Sequence, residues 1–246
     1  MRKKIQWVLL FLLSFTLILP IHGASKHKVA FYAFDETYQE NMYEFYRDYI
    51  SKMYEKSSDS FELIPCIGTA CNNMLEMKEV DYVVGMPYDQ GKIKQYTFTE
   101  MEQYNIGVNV YVPKEKEEVY NTRLLFNSSS NIGIIQNSVI NEKYQLLSKM
   151  NDYKATIYYY DSLDEMIDAV NENRIDGFVY SYLPKEYDYS IFTSVYQASG
   201  YFASLKEYHS KYEALYKNEM NKEDYEALID QYILKKENQK ELALNS

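Results

Sequence analysis

Few groups in this chain could do chemistry, and they are scattered. Cys66 and Cys71 lie with four residues between them in Pro65-Cys66-Ile67-Gly68-Thr69-Ala70-Cys71. Thiols this close, with a Gly between them, can close a small disulfide loop in an oxidising compartment, stay free, or ligate a metal. The metal reading needs more ligands than a lone pair supplies. His27 and His209 stand beside no nucleophile in a recognised pattern, and Gly-x-Ser-x-Gly, His-Glu-x-x-His and phosphate-binding Gly-rich loops are absent. The acidic pairs Asp164-Glu165 and Glu117-Glu118 are explained by helix capping and a solvated turn. No catalytic residue, cofactor or metal is therefore expected. What remains is binding chemistry, above all from aromatic side chains in a chain with 28 Tyr.

The elements that must position these groups alternate in period. Lys28 to Phe34 is an apolar run of strand length. Met42, Phe45, Tyr46, Tyr49, Ile50 and Met53 then fall on one helical stripe. Phe61 to Ile64 reads as a strand, Asn73 to Lys78 as a short helix, Asp81 to Gly85 as a third strand, and Asn105 to Val112 as another, closed by Pro113 and a charged run. A second series follows. Asn131 to Ile135 is a strand, Ser138 caps a helix with Ile140, Tyr144 and Leu147 on its buried face, and Thr156 to Tyr160 is a strand. Ser162-Leu163-Asp164-Glu165 has the spacing of a capping box, and Asp176 to Tyr180 is a strand. Two amphipathic helices end the chain. Strand and helix alternation of this kind predicts an α/β fold with mostly parallel sheets, in two similar lobes.

The first segment reads as an address. Arg2, Lys3 and Lys4 precede an apolar stretch from Trp7 to Leu19, and small residues follow Pro20, the layout of a cleavable secretory signal over residues 1–24. As a membrane span the stretch is short. Its removal leaves 23 Lys+Arg against 36 Asp+Glu, a net charge of −13, and no Trp. That acidity argues against a nucleic-acid partner, since phosphate contacts need a basic face.

Two stretches carry a family resemblance. Val80-Asp81-Tyr82-Val83-Val84-Gly85-Met86, followed by Lys94-Gln95-Tyr96-Thr97-Phe98-Thr99, is similar to the first-lobe strand, ligand loop and turn of the type 2 extracytoplasmic (periplasmic) solute-binding proteins, above all the polar amino-acid uptake group (family 3). Tyr160 to Met166 and Asn173 to Val179 resemble the second-lobe helix and strand of that group. The resemblance implies a type II periplasmic-binding fold with ligand caught between lobes by hinge closure. Lobe 1 would comprise 25–113 plus 197–246 and lobe 2 114–196, with crossovers near Val112-Pro113-Lys114 and Thr193 to Ser199.

Family spacing puts Lys92 where an Arg holds the ligand carboxylate and Ser181 where an Asp holds the ammonium; Pro87 stands where a hydroxyl is expected. Ser138 alone keeps its expected type. Lys is a point charge without the bidentate fork of Arg, and Ser supplies no negative partner for an ammonium. The mature chain has three Arg, Arg47, Arg123 and Arg174, none an obvious substitute. An ordinary α-amino-acid ligand is therefore not expected. Phe34 and Tyr38 follow the first strand, where the family places an aromatic wall; Tyr88 and Tyr182 lie in loops expected to face the cleft. The resemblance thus implies a periplasmic or secreted monomer that binds a small polar or aromatic-containing ligand and works with a membrane permease of an ABC transporter. The alternatives are a sensory module for a membrane receptor and a homologue that has lost binding.

Overall fold

The computed structural model describes residues 24–117 and 124–234, so the signal-like segment over residues 1–24 falls, but for its last residue, outside the described part. Eight strands form one sheet in the order β2-β1-β3-β8-β4-β7-β5-β6. β1 (Lys26–Ala33), β2 (Ser60–Ile67) and β3 (Tyr82–Pro87) make a parallel unit; β5 (Asn131–Ile135), β6 (Thr156–Tyr160) and β7 (Gly177–Tyr180) make a second. Between them run two long antiparallel strands, β4 (Tyr96–Pro113) and β8 (Tyr189–Leu205).

β4 and β8 belong to both units. β8 pairs with β3 through Ala203, Tyr201 and Gly200, whereas β4 pairs with β7 through Asn109, Val110 and Tyr111. Their mutual register shifts between Glu100 and Asn105 and again between Val108 and Asn109, so the ladder bends where one unit hands over to the other. The handover to β7 is complete before Pro113.

Helix α1 (Glu36–Tyr54) starts where Asp35 accepts the Tyr38 N–H at 2.8 Å, and its buried stripe covers the first unit. Tyr38, Phe45, Tyr46 and Tyr49 on it are fully buried, each contributing roughly 1.5–3 kcal/mol through apolar burial. Helix α2 (Thr69–Glu76) follows directly on β2. In the second unit, α3 (Val139–Asn151) is capped by Ser138 and α4 (Leu163–Asn171) by Ser162. Glu165 reaches back to the Asp161 N–H, one residue earlier than in the standard reciprocal box. Helices α5 (His209–Tyr216) and α6 (Lys222–Tyr232) return to the first unit, where the Tyr212 hydroxyl donates to Asp81 and Tyr49 donates to Glu219.

Two glycines are needed for close approach. A Cβ at Gly177 would lie 2.4 Å from the Tyr111 carbonyl oxygen, where β7 crosses β4. Gly85 combines a φ of +73° with the Tyr46 hydroxyl 2.6 Å from where a Cβ would stand. No helix among the described residues is long and apolar enough to cross a membrane.

Candidate functional site

Open α/β sheets expose their ligand sites beyond the carboxyl ends of the parallel strands, because the connecting loops diverge there and the helix amino ends point inward. In this chain the ends of the two parallel units face each other. They enclose a cavity of about 330 Å³ lined by Phe34, Asp35, Glu36 and Thr37 after β1, Ile67 at the end of β2, Ile135 and Asn137 around the end of β5, and Asp161 and Ser162 after β6. A larger groove of about 490 Å³ between α1 and α6 is built from residues of the two helices, Glu55 just after α1 and Met220 before α6, and no strand end reaches it.

The lining is acidic. Asp35, Glu36 and Asp161 supply three carboxylates, and neither Lys nor Arg is among the described lining residues. Asp35 is the most constrained of them. Its Oδ1 accepts the Tyr38 N–H at 2.8 Å and the Tyr180 hydroxyl at 2.9 Å, so one oxygen caps α1 and ties the first unit to β7 of the second. Its Oδ2 is buried and has no partner among the described residues. Burial pushes the Asp35 carboxyl above its ordinary range and Glu36 adds to the rise, while the Tyr38 N–H, the Tyr180 hydroxyl and the Thr37 backbone act against it. A buried carboxylate oxygen without a partner, beside two further carboxylates, favours a cationic or hydrogen-bond-donating guest.

Cys66 and Cys71 are joined, with an S–S distance of 2.09 Å and Cα atoms 5.1 Å apart. The bond closes the loop that carries Ile67 into the cavity wall. Gly68 in that loop, at φ +51°, sits where an added Cβ would be 3.5 Å from Val139 Cγ2 of α3, so the loop lies against the second unit.

The residues expected from sequence separate into groups. Phe34 lines the cavity. Tyr38, next to that wall in sequence, is fully buried and turns its hydroxyl into a knot with Tyr46 and Tyr104, 3.1 Å from Tyr104. Burial holds all three phenols well above their ordinary pKa. Ser138 sits one residue past the lining Asn137; its hydroxyl accepts the Asn141 N–H at 3.1 Å and donates to the Ile135 carbonyl at 2.9 Å. Ser181 is fully buried and donates to the Gly107 carbonyl at 2.9 Å, while Tyr182 donates to the Asn105 carbonyl. Both therefore fasten the turn after β7 to the bend of β4.

Tyr88 and Lys92 lie outside the cavity lining. Tyr88 packs on Phe98 and Tyr201 at 5.2 and 5.6 Å between ring centroids. Lys92 Nζ is 2.7 Å from Glu76 Oε1 and lies over the Tyr96 ring. Asp35, Glu36, Asn137 and Asp161 line the cavity and are not among the residues expected from sequence. The available signal was positional, since each is a polar residue just beyond an apolar strand, where parallel sheets place their ligands.

No family model matches the sequence, and no curated protein matches it. Solved structures do share its fold. Substrate binding domain 2 of GlnP from Lactococcus lactis, in the open conformation, superposes with a TM-score of 0.62 at 11% identity, over 87% of this chain and 97% of that one. The VFT2 domain of BvgS from Bordetella pertussis gives 0.59 at 12% identity, over 83% and 92%. An ancestral arginine-binding protein bound to arginine gives 0.55 at 16% identity, over 85% and 98%. With two parallel units joined through two shared antiparallel strands, the chain has the two-lobed type II periplasmic-binding fold of amino-acid substrate-binding domains.

Proposed function

We propose that this protein is an extracytoplasmic solute-binding protein that captures a small cationic or amine-bearing ligand in the cleft between its lobes and delivers it to a membrane transporter. The acidic lining around the orphaned Asp35 oxygen carries the ligand class. A guest with an ammonium or guanidinium group meets the carboxylates of Asp35, Glu36 and Asp161, and Phe34 offers it an apolar wall. The sequence alone suggested a small polar or aromatic-containing ligand outside the usual α-amino-acid pattern; the acidic lining supports a cationic one. An arginine-bound relative of the same fold is consistent with it.

The division into lobes follows the crossovers. We assign β1 to β3 with α1, α2, α5 and α6 to one lobe and β5 to β7 with α3 and α4 to the other, hinged at the register shifts of β4 and β8. The Cys66–Cys71 bond supports an oxidising compartment, as does the signal-like start. The likeness to a BvgS domain supports a second reading, in which the ligand is reported to a membrane receptor instead of a permease.

A thermal-shift panel of polyamines, basic amino acids, neutral amino acids and organic acids tests the ligand class, because a compound that binds only the folded state raises Tm. The reading expects a rise with the cationic compounds and none with the organic acids.

A further inference from the structure

The two outer edges of the sheet are built differently. β2 carries Pro65, which has no N–H, and Glu62 paired with Lys26 at 2.9 Å, features that discourage another strand from adding there. β6, at the opposite edge, reads Thr156-Ile157-Tyr158-Tyr159-Tyr160 and has neither a charge nor a Pro. The Thr156 N–H and the Tyr160 C=O bond toward β5, so in the parallel ladder Thr156, Tyr158 and Tyr160 face inward. Ile157 and Tyr159 present their N–H and C=O groups outward. Pairing stops at either end of this stretch, where the Ala155 N–H is taken by the Leu125 carbonyl and the Asp161 N–H by Glu165.

Around this edge the surface is apolar. Tyr158 and Tyr159 are 44% and 49% exposed, and Leu146 and Met150, one turn apart on α3, are 57% and 72% exposed. Gln145 donates to the Tyr159 hydroxyl at 3.0 Å, holding α3 against the edge. Tyr159, Leu146 and Met150 lie on the α3 side of the edge and Tyr158 on the α4 side, so exposed apolar groups flank it on both faces, as they do at interaction surfaces.

We propose that β6 pairs antiparallel with β6 of a second copy of this chain, about a two-fold axis at Tyr158. In that register Ile157 of one copy lies opposite Tyr159 of the other, so the outward groups satisfy each other twice, as an isologous contact requires. Charge favours this arrangement over a parallel one. The approach to β6 carries Lys149 beside the Lys154–Asp152 ion pair, and its exit carries Asp161, Asp164 and Glu165, so an antiparallel copy sets Lys149 toward the acidic end. The proposed dimer departs from the monomer that the family resemblance implies.

Sedimentation velocity on the purified chain, over a dilution series reaching high micromolar concentration, tests it. The expected result is a species of twice the monomer mass that dissociates on dilution. Tyr159→Pro, which removes an outward donor and leaves the β5 pairing intact, should sediment as a monomer. Tyr159→Lys, which keeps every backbone group and puts a charge on the edge, should do the same with an unchanged far-UV spectrum, and it decides the matter if the Pro variant misfolds. A monomer at every concentration, or a dimer that survives Tyr159→Lys, would overturn the proposal.

Discussion

The Tyr180 hydroxyl donates to Asp35 Oδ1 across 2.9 Å, and so joins the last strand of one lobe to the helix cap of the other. The same carboxylate caps α1 and lines the cavity, so fold, contact between the two units and the proposed ligand site meet there. Tyr180→Phe removes the bond and keeps the ring. The expected cost is about 1–2 kcal/mol, seen as a lower Tm at unchanged secondary structure. An unaltered Tm would mean that this contact contributes nothing to holding the lobes together.

The disulfide fixes the loop that brings Ile67 to the cavity and Gly68 to α3. A loop this short loses little chain entropy, so replacing both cysteines with Ser should cost only about 2 kcal/mol. The chain should still fold, and reductant should lower the Tm of the natural protein and leave the variant unmoved. Equal sensitivity of both to reductant would contradict this.

His27 is buried, with Nδ1 2.7 Å from the Tyr54 hydroxyl and its ring edge-on to Tyr212. Desolvation lowers its pKa below the usual 6.5, while Asp81 and Asp59 pull the other way and Lys211 adds to the lowering. The unfolded chain then takes up this proton before the folded one does. Stability from this group is complete above pH 6.5 and is lost as the pH falls from there to the folded pKa, at a slope of up to about 1.4 kcal/mol per pH unit. In a pH series of urea melts, His27→Gln should flatten that decline. A variant that declines as steeply as the natural chain would sink this explanation.

Lys92 is held by Glu76 and Tyr96 outside the cavity lining. Lys92→Ala should therefore leave ligand-induced Tm shifts unchanged. Loss of the shift would return Lys92 to the site.

Much of this architecture could be read from residue order. The stripe on α1, the Ser138 and Ser162 caps and the short parallel strands all follow from local spacing, because each is set by neighbours within a turn or two. β8 was not legible as one strand. It runs from Tyr189 to Leu205 with a mixed burial pattern, since different stretches of it face different lobes, and the period of two is lost at the register shifts. The same holds for the first half of β4, from Tyr96 to Tyr104. The site was less legible than the fold. Spacing from family motifs led to Lys92 and Ser181, whereas the cavity is walled by residues that lie far apart in sequence, such as Asp35 and Asp161, and only the facing of the two strand ends brings them together. Asp35 also reads as an ordinary helix cap, and that role masks its place in the cavity wall.

The most direct measurement is isothermal titration of the natural chain and of Asp35→Asn with whichever cationic compound gives the largest thermal shift. Asn caps a helix as well as Asp does, so the variant keeps the cap while it loses the charge and turns the unpartnered oxygen into an NH2 donor. The account predicts that affinity falls by about 100-fold or more, as expected when a desolvated charge partner is removed, and that the loss is much smaller for a neutral ligand. Equal affinity of both proteins for the cation would contradict it.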